Sequence, residues 1–349
     1  MSVAISVVIP IHNAEVELER CLKSVLEQSF ELNYEVLCIL DGSNTKTYQI
    51  VQDFYQEYPR KVKIFETNFF DPGLVRNFGI EQSQGEYIFF VDGDDFLEEE
   101  CLEDLYNKAN KSKAEVVIGN YYNYYPKINK RRTSSFLRNF LSQKNYTSKE
   151  VAYKVIKDFR VRGYVWNTLY KREMIIKNKI RFIPTKLAIE DRPFLVECCL
   201  CANKIFISKT KIYNYVQHST SFVKSTNKLY FLQKALNCDF ALKIILLHHN
   251  CYEETDFKKL LSFHLRGITS EARRICSALN IPNKVLLDEI KKQELVISGD
   301  DLYVYDSPWE GAIKALRFND ELYRKLPPSF QIKDLTKVLW ERFIGFYNN

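Results

Sequence analysis

The stretch Glu86-Tyr87-Ile88-Phe89-Phe90-Val91-Asp92-Gly93-Asp94-Asp95 joins a strand-like run to an acidic turn. Tyr87 to Val91 is continuously apolar and β-prone, which is typical of a strand covered on both faces. Three carboxylates follow within four residues, at the strand end where ligands bind in an open α/β sheet. Because clustered carboxylates repel one another, the turn favours a site for a hard divalent cation. The alternative is a solvated loop in which Asp95 caps the next helix.

Strands and helices alternate in the sequence that precedes this stretch. Strands are predicted at 4–10, 34–40 and 61–65, and apolar residues at helical spacing predict helices at 15–28, 45–58 and 72–81. Pro72 suits the first turn of the third helix, and Gly85 breaks the chain before the central strand. This order predicts the α/β class, with a doubly wound and mainly parallel sheet.

Candidate binding residues lie at the ends of three of the predicted strands and would meet at one edge of such a sheet. They are Pro10, His12 and Asn13, then Asp41, then Asp92 and Gly93. His12 can stack on a ring or fill a turn, and Asp41 can accept hydrogen bonds from a base or ribose. Arg76, inside the third helix, can contact a phosphate or cover the helix face with its stem. Neither G-x-G-x-x-G nor a Walker A pattern occurs here, which argues against a dinucleotide-binding fold.

The composition is that of an ordinary globular protein. The 349 residues suffice for one large domain or two smaller ones, and 46% hydrophobic residues can supply a core. A net charge of +6 does not by itself indicate nucleic acid. The nine scattered cysteines and the lack of a signal peptide before Ser6 suggest a cytoplasmic protein. Cys198 and Cys201 have CxxC spacing, but no second pair completes a zinc site, which favours core thiols.

The motifs of the first half resemble those of the family 2 glycosyltransferases, which have the GT-A fold. Segments that match in order and spacing are 6–13, 26–29, 35–43, 76–80 and 85–95. The likeness continues through 166–173 and 189–194, in a pattern similar to that of bacterial enzymes building capsule, lipopolysaccharide or related surface glycans. It covers roughly residues 3 to 220.

The resemblance implies that a nucleotide-diphospho-sugar, here a UDP-sugar, lies across the strand ends. The residues implied to bind its nucleotide are Pro10, His12, Asn13, Asp41, Arg76, Asp92 and Gly93. Mg²⁺ or Mn²⁺ on the diphosphate is implied to be held mainly by Asp94, with Asp92, Asp95 and, more weakly, His218. Two positions depart from the family. His12 stands where tyrosine is usual, and Leu40 replaces the first aspartate of Asp-Asp-Gly-Ser, so that one carboxylate is lost.

The same resemblance implies an inverting transfer in which a carboxylate takes the proton of the acceptor hydroxyl. Asp191, near the start of an apolar helix, is the candidate general base, and Glu190 is the second choice. The alternative for both is an acidic helix start that the helix dipole favours. Acceptor residues are expected at Tyr164, Trp166 and Arg192, although Trp166 could equally pack in the core.

The remaining segments carry weaker signals. The basic, aperiodic segment 127–144 predicts an exposed, mobile loop over the acceptor side, for which nucleic-acid binding is the disfavoured alternative. A short strand pair is expected at 204–216, and helices from about residue 226 onward. We expect a GT-A domain at 1–222, with a nucleotide-sugar half at about 1–120 and an acceptor half at about 121–222. A helical region at 223–349 could close the acceptor site, form a homodimer or contact the inner face of a membrane.

The sequence therefore favours a metal-dependent, inverting hexosyltransferase that moves sugar to a glycan or lipid-linked acceptor in bacterial surface polysaccharide synthesis. Two alternatives remain. A nucleotidyltransferase that makes nucleotide-sugars would need a glycine-rich basic loop after the first strand, and Pro10-Ile11-His12-Asn13 lacks it. A non-catalytic glycan-binding scaffold on the same fold would not need Asp92, Asp94 and Asp191.

Overall fold

A computed structural model describes residues 2–134, 140, 146–157, 164–185, 189–217, 228–251, 254, 256–257 and 259–260. Within these residues the strands are β1 (Ile5–Ile11), β2 (Tyr34–Asp41), β3 (Val62–Thr67), β4 (Tyr87–Phe90), β5 (Phe96–Leu97), β6 (Val116–Tyr125), β7 (Lys130–Thr133), β8 (Thr168–Lys171) and β9 (Ile205–Val216). The helices are α1 (Leu18–Leu26), α2 (Thr45–Glu57), α3 (Pro72–Gln82), α4 (Cys101–Ser112), α5 (Ser148–Lys157), α6 (Arg172–Lys177), α7 (Asp191–Cys201) and α8 (Lys228–His248). A short 3₁₀ turn at Pro126–Ile128 links β6 to β7.

The described strands form one nine-stranded sheet in the order β3-β2-β1-β4-β8-β6-β9-β5, with β7 paired to β6. The four strands from β3 to β4 are mutually parallel, as the alternation of strands and helices predicts. Beyond β4 the sheet is mixed, because β8 is antiparallel to both β4 and β6. It follows that β6 runs in the same direction as β4 and ends at the same edge of the sheet.

The centre of the sheet is sealed on both faces. All residues of β2 and β4 are buried, and six of the seven in β1 are buried, which explains their unbroken apolar sequences. Helix α3 packs closely on β1 and β2 through Gly79. A Cβ atom at that position would lie 2.3 Å from Val8 Cγ1 and 3.0 Å from Ile39 Cδ1. The close approach fixes the height of α3 above the sheet.

Two predicted elements beyond β4 need correction. The segment 204–216 is a single long strand, β9, and not a strand pair; it pairs in parallel with β6 through register shifts near Asn120. No glycine or proline interrupts this segment, so nothing in it favours a turn. The segment after residue 126 does not begin as an aperiodic loop, because Lys130–Thr133 form β7 in a hairpin with β6. Residues 135–139 and 141–144 of the predicted mobile loop lie outside the described residues.

The carboxyl-terminal region begins with the predicted helix. Helix α8 covers Lys228–His248, and residues 261–349 lie outside the described part of the chain, so the roles expected for them stay predictions. Among the helices that the structure describes, none combines the length and the apolar character needed to cross a membrane. The predicted core thiols are confirmed for Cys198 and Cys199, which are free and buried in α7.

The contact of α3 with the sheet gives a stability prediction. Gly79→Ala should lower the free energy of unfolding by about 1–2 kcal/mol, because overpacking costs about 3 kcal/mol at such a tight site and the gain in helix propensity returns only about 1. Urea unfolding measures the change. Gln56→Ala, at an exposed position of α2, is the control and should stay within about 0.5 kcal/mol of the parent. A Gly79→Ala protein as stable as the parent would show that α3 can move away from β1.

Candidate active site

The acidic turn follows β4 and is held from within. Its four residues alternate in exposure: Asp92 and Asp94 are partly exposed, whereas Gly93 and Asp95 are buried. The Asp95 backbone N–H donates to the Asp92 carbonyl oxygen at 3.1 Å, which closes the turn. Arg20 of α1 donates from Nη2 to the Asp94 carbonyl oxygen at 3.3 Å. The turn therefore presents two carboxylates outward at the edge where the parallel strands end.

Asp95 supports this turn from the core. Its Oδ2 accepts a hydrogen bond from the Tyr213 hydroxyl at 2.8 Å, and its Oδ1 accepts one from the Val216 backbone N–H at 2.7 Å. The Tyr213 oxygen in turn accepts from the Asp92 backbone N–H at 3.1 Å. Burial raises the pKa of Asp95 well above its ordinary range, and Asp94 and Asp92 raise it further. Of the two roles considered for Asp95, these contacts favour support of the turn over metal ligation.

Arg76 lies at the centre of a cluster of carboxylates and not on a helix face. Its side chain is only 6% exposed, so the stem does not cover solvent-facing surface. Nη2 lies 2.9 Å from Asp92 Oδ1, and Nη1 lies 3.0 Å from Glu190 Oε1. Nη1 is also 3.6 Å from Asp191 Oδ1. In this arrangement the guanidinium joins the acidic turn to the start of α7, and its role toward a phosphate stays a prediction.

Charge and burial oppose each other in this cluster. Burial would lower the pKa of Arg76, but Asp191, Asp92 and Glu190 raise it overall, so the guanidinium stays charged. Burial raises the pKa of Asp191 well above the ordinary aspartate range, and the nearby Arg76 offsets this rise only in part. Asp191 Oδ1 is buried and has no hydrogen-bond partner. Asp191 is therefore a carboxylate that takes up a proton more readily than one in water.

Asp41 is engaged by the loop that follows β3. Its Oδ1 accepts from the Thr67 hydroxyl at 3.0 Å and from the Phe69 backbone N–H at 2.6 Å, and its Oδ2 accepts from the Asp71 backbone N–H at 3.2 Å. The side chain is buried. Three donors thus bind the carboxylate and let it position this loop, and its role toward a base stays a prediction.

His12 and Asn13 lie exposed at the end of β1, as their place after the strand predicts. The His12 Nδ1–H donates to the Asp41 carbonyl oxygen at 2.6 Å, and its Nε2 lies 3.4 Å from the Asn13 side-chain nitrogen. The ring also meets Phe70 edge-on, with centroids 6.2 Å apart. Asn13, at φ 47°, accepts a hydrogen bond from the Asn44 backbone N–H at 3.0 Å. Together with Pro10, the residue before the last one of β1, they line the edge expected for a nucleotide.

The donor atoms at the acidic turn suit a hard divalent cation. Among the described residues no group of three or more histidine, cysteine, aspartate and glutamate side chains is arranged to hold a metal ion. Mg²⁺ is commonly held by one or two protein carboxylates while waters and substrate phosphates supply the other ligands. Asp92 and Asp94 match that arrangement, since both are partly exposed and Asp92 uses one oxygen for Arg76. His218 lies outside the described residues.

The predicted acceptor residues divide into buried and accessible ones. Trp166 is 1% exposed and stacks on Tyr213 at 4.3 Å and on Tyr164 at 4.6 Å, so it packs in the core and does not form a sugar platform. Tyr164 is half-buried against it. Arg192, in the first turn of α7, is also half-buried, and its role toward an acceptor stays a prediction.

Several residues that organise the site carry no motif. Tyr213 belongs to an alternating strand pattern, which predicts burial but not its bond to Asp95. Asn77 donates to the Phe182 carbonyl oxygen at 2.8 Å and accepts from the Phe182 N–H at 2.8 Å. Phe182 stacks on Phe194 of α7 at 3.8 Å. The only sequence signal for these contacts is the Arg76-Asn77 pair, and it does not reveal their partner.

Residues 6–177 match the family model described as Glycosyl transferase family 2. Among curated proteins, the chain is 30% identical over 230 residues to the putative glycosyltransferase EpsH of Bacillus subtilis (strain 168), with 65% of each chain covered. It is 28% identical over 322 residues to the poly(ribitol-phosphate) beta-glucosyltransferase of Bacillus spizizenii, covering 85% of this chain and 49% of that protein. The chain thus spans about two thirds of the first relative and about half of the second.

Solved structures show the same fold. The crystal structure of residues 1–349 of S. aureus TarS in complex with UDP superposes with a TM-score of 0.62, at 20% identity, covering 92% of this chain and 91% of that one. At this identity the likeness establishes the fold alone. The sequence-based expectation of a GT-A α/β fold is confirmed.

The Tyr213 hydroxyl provides a test of how the acidic turn is supported. Tyr213→Phe should lower the free energy of unfolding by about 1–3 kcal/mol, because it leaves the buried Asp95 oxygen and the Asp92 N–H each short of a partner. Chemical denaturation measures the loss. Tyr55→Phe, at a side chain that is 40% exposed, is the matched control and should change stability little. Equal stability of Tyr213→Phe and the parent would contradict the bridging role.

Proposed function

The chain belongs to glycosyl transferase family 2, and from this premise we propose that it transfers sugar from a UDP-sugar to a glycan or lipid-linked acceptor in bacterial surface polysaccharide synthesis. The observation that carries the proposal is the Arg76 cluster. Its guanidinium contacts both Asp92, on the strand-end edge suited to a nucleotide, and Asp191, a half-buried carboxylate with a raised pKa. A nucleotide-sugar site and a proton acceptor are thus neighbours.

The choice of UDP-sugar rests on relatives and on the geometry of the strand ends. TarS has been crystallised with UDP. In this chain, the exposed His12 ring lies beside the end of β2 and can stack on a planar base. The likeness to the poly(ribitol-phosphate) beta-glucosyltransferase of Bacillus spizizenii supports a bacterial polymer as the acceptor. We place the nucleotide-sugar on residues of the first 120 and the acceptor on residues of 121–222.

A divalent ion, Mg²⁺ or Mn²⁺, would be held by Asp94 and Asp92 at the turn after β4. When bound there it would offset the negative charge that grows on a departing diphosphate. Asp92 would serve both the ion and Arg76, since the guanidinium takes only its Oδ1. Arg20, with Nη2 3.3 Å from the Asp94 carbonyl oxygen, adds positive charge beside the turn. Asp95 remains the internal support of the turn.

Asp191 is the proposed general base of an inverting, in-line transfer. The acceptor oxygen forms a bond to the anomeric carbon, the bond from that carbon to the diphosphate breaks, and the hydroxyl proton passes to the Asp191 carboxylate. Burial makes Asp191 a stronger base than an exposed aspartate. Glu190 is bound to Arg76 at 3.0 Å and is better suited to hold the guanidinium in place. We propose that the chain acts in the cytoplasm at the membrane face, and that its carboxyl-terminal helices, of which α8 (Lys228–His248) is described, can form a homodimer.

The direct test is a screen of UDP- and GDP-sugars for stabilisation in thermal melts and for release of the nucleoside diphosphate, with Mn²⁺ or with EDTA. A family 2 glycosyltransferase should respond to at least one UDP-sugar and should release UDP when an acceptor extract of bacterial surface polymer is added. A response to none of the nucleotide-sugars would contradict the proposal.

Metal dependence gives the first prediction for this site. Affinity for the UDP-sugar should be at least about tenfold weaker in EDTA than in Mn²⁺, and Asp94→Ala should reproduce the EDTA result in the presence of Mn²⁺. Isothermal titration calorimetry measures both. Asp53→Ala, which removes an exposed carboxylate of α2, is the control and should bind as the parent does. Equal affinity with and without the ion would rule out the metal role of Asp94.

The second prediction concerns the proton. Asp191→Asn should slow transfer by about 10²- to 10⁴-fold while leaving UDP-sugar affinity nearly unchanged, because it removes the proton acceptor and keeps the size of the side chain. Since the pKa of Asp191 is raised, the acid limb of the parent pH–rate profile should lie above the ordinary aspartate range.

Glu190→Gln is the matched control for Asp191→Asn and should have a milder effect on transfer. If Asp191→Asn transferred sugar at a near-parent rate and Glu190→Gln were inactive, Glu190 and not Asp191 would be the general base. Activity of both variants would place the base elsewhere in the chain.

A further inference from the structure

The tip of the β6–β7 hairpin is an exposed cationic surface. We call residues 125–133 the basic hairpin; it carries Lys127, Lys130, Arg131 and Arg132, all exposed, and no acidic residue. Ile128 stands at the apex in the 3₁₀ turn and is 64% exposed. Ile128 lies among four cations, and its burial against an apolar surface would be favourable.

The basic hairpin leaves the sheet at the same edge as the acidic turn. Strand β8 is antiparallel to both β4 and β6, so β6 ends, at Tyr125, on the edge where β4 leads into Asp92. Helix α6 begins directly after Lys171, which pairs with Tyr87 at the start of β4. It therefore lies at the opposite edge. A surface bound by the basic hairpin would face the side of the molecule that holds the candidate active site.

Side chains brace the base of the hairpin against the acidic turn. The Tyr124 ring meets Phe96 edge-on at 5.3 Å, and its hydroxyl donates to Asn129 Oδ1 at 3.1 Å. Arg131 pairs with Glu98 at 3.0 Å, which leaves Lys127, Lys130 and Arg132 to carry charge outward. Because Phe96 follows Asp95 directly, the orientation of the hairpin is tied to that of the turn.

We propose that the basic hairpin docks the chain on an anionic membrane surface, with Ile128 inserted among the headgroups and the flanking cations on lipid phosphates. Charge complementarity alone would fit any polyanion. The exposed isoleucine favours an anionic membrane over a soluble anionic polymer. A bilayer interface offers apolar surface that can bury the side chain, whereas a hydrated polymer does not. This inference rests on the proposed function, which places the chain at the membrane face, and deepens it by naming the surface that docks.

Docking in this orientation has a consequence for the acceptor. It turns the strand-end edge, with Asp92 and Asp94, toward the bilayer. A lipid-linked sugar chain could then reach the site while its lipid remains in the membrane. A soluble acceptor would gain nothing from such an orientation.

Vesicle co-sedimentation of the full chain tests the proposal. The parent should bind vesicles of phosphatidylcholine with phosphatidylglycerol and not vesicles of phosphatidylcholine alone, and binding should weaken as salt shortens the screening length. The double variant Lys127→Glu/Lys130→Glu should bind the anionic vesicles at least about tenfold more weakly. Ile128→Asp, which leaves the cations in place, should also weaken binding.

A matched control comes from α6, where Ile176 is 39% exposed and Lys177 is exposed. Ile176→Asp/Lys177→Glu changes one apolar and one basic side chain at the opposite edge and should bind vesicles as the parent does. Thermal melts and UDP-sugar binding, which should match the parent in all variants, show that each variant is folded.

Two outcomes would overturn the proposal. Undiminished vesicle binding by the hairpin variants would assign any membrane contact to another part of the chain. Binding to soluble polyphosphate would be measured for the same proteins. If the hairpin variants lost binding to polyphosphate but kept binding to vesicles, the hairpin would be a site for polyanions and not for a membrane. Failure of the UDP-sugar screen would refute the proposed function but leave these vesicle measurements interpretable.

Discussion

The buried guanidinium of Arg76 pairs with three half-buried carboxylates. Asp92 ends the central strand, whereas Glu190 and Asp191 begin α7, so the ion pairs connect the two ends of the site. Without a cation between them, these groups would repel one another and would lose solvation as well, since burying an unpaired charge costs several kcal/mol. The position of Arg76 therefore constrains every element around it.

That position is set by contacts at the start and in the middle of α3. Asp71 caps the helix through the Gly73 N–H at 3.0 Å and also accepts from the Thr185 N–H at 2.8 Å. Asn77 is bonded in both directions to the Phe182 backbone. The segment 180–185 is thus fastened along α3, and its Phe182 stacks on Phe194 of α7. The helix that carries Arg76 and the helix that carries its acidic partners are joined by one intervening segment.

The sequence predicts the parts of the fold that depend on local residue patterns. Continuous apolar runs, helical spacing and the acidic turn identify β1 to β4, α1 to α3 and the exposed Asp92 and Asp94. What it does not predict depends on distant partners: the ion pairs of Arg76, the loop bound by Asp41, and the burial of Trp166 under Tyr164 and Tyr213. An arginine bound to carboxylates more than 100 residues away has the same local sequence as one that would bind a phosphate.

The ion pair between Arg76 and Asp191 raises a physical question for a proton acceptor. A cation 3.6 Å away favours the charged carboxylate and would by itself make Asp191 a weaker base. Burial acts in the opposite direction and prevails, so the pKa is raised overall. Burial of the cluster makes the positive charge of Arg76 necessary, and the same burial keeps the pKa of Asp191 raised. In a shallower site the charges would pair in water. The desolvation cost would then be small, and the pKa of Asp191 would rise little.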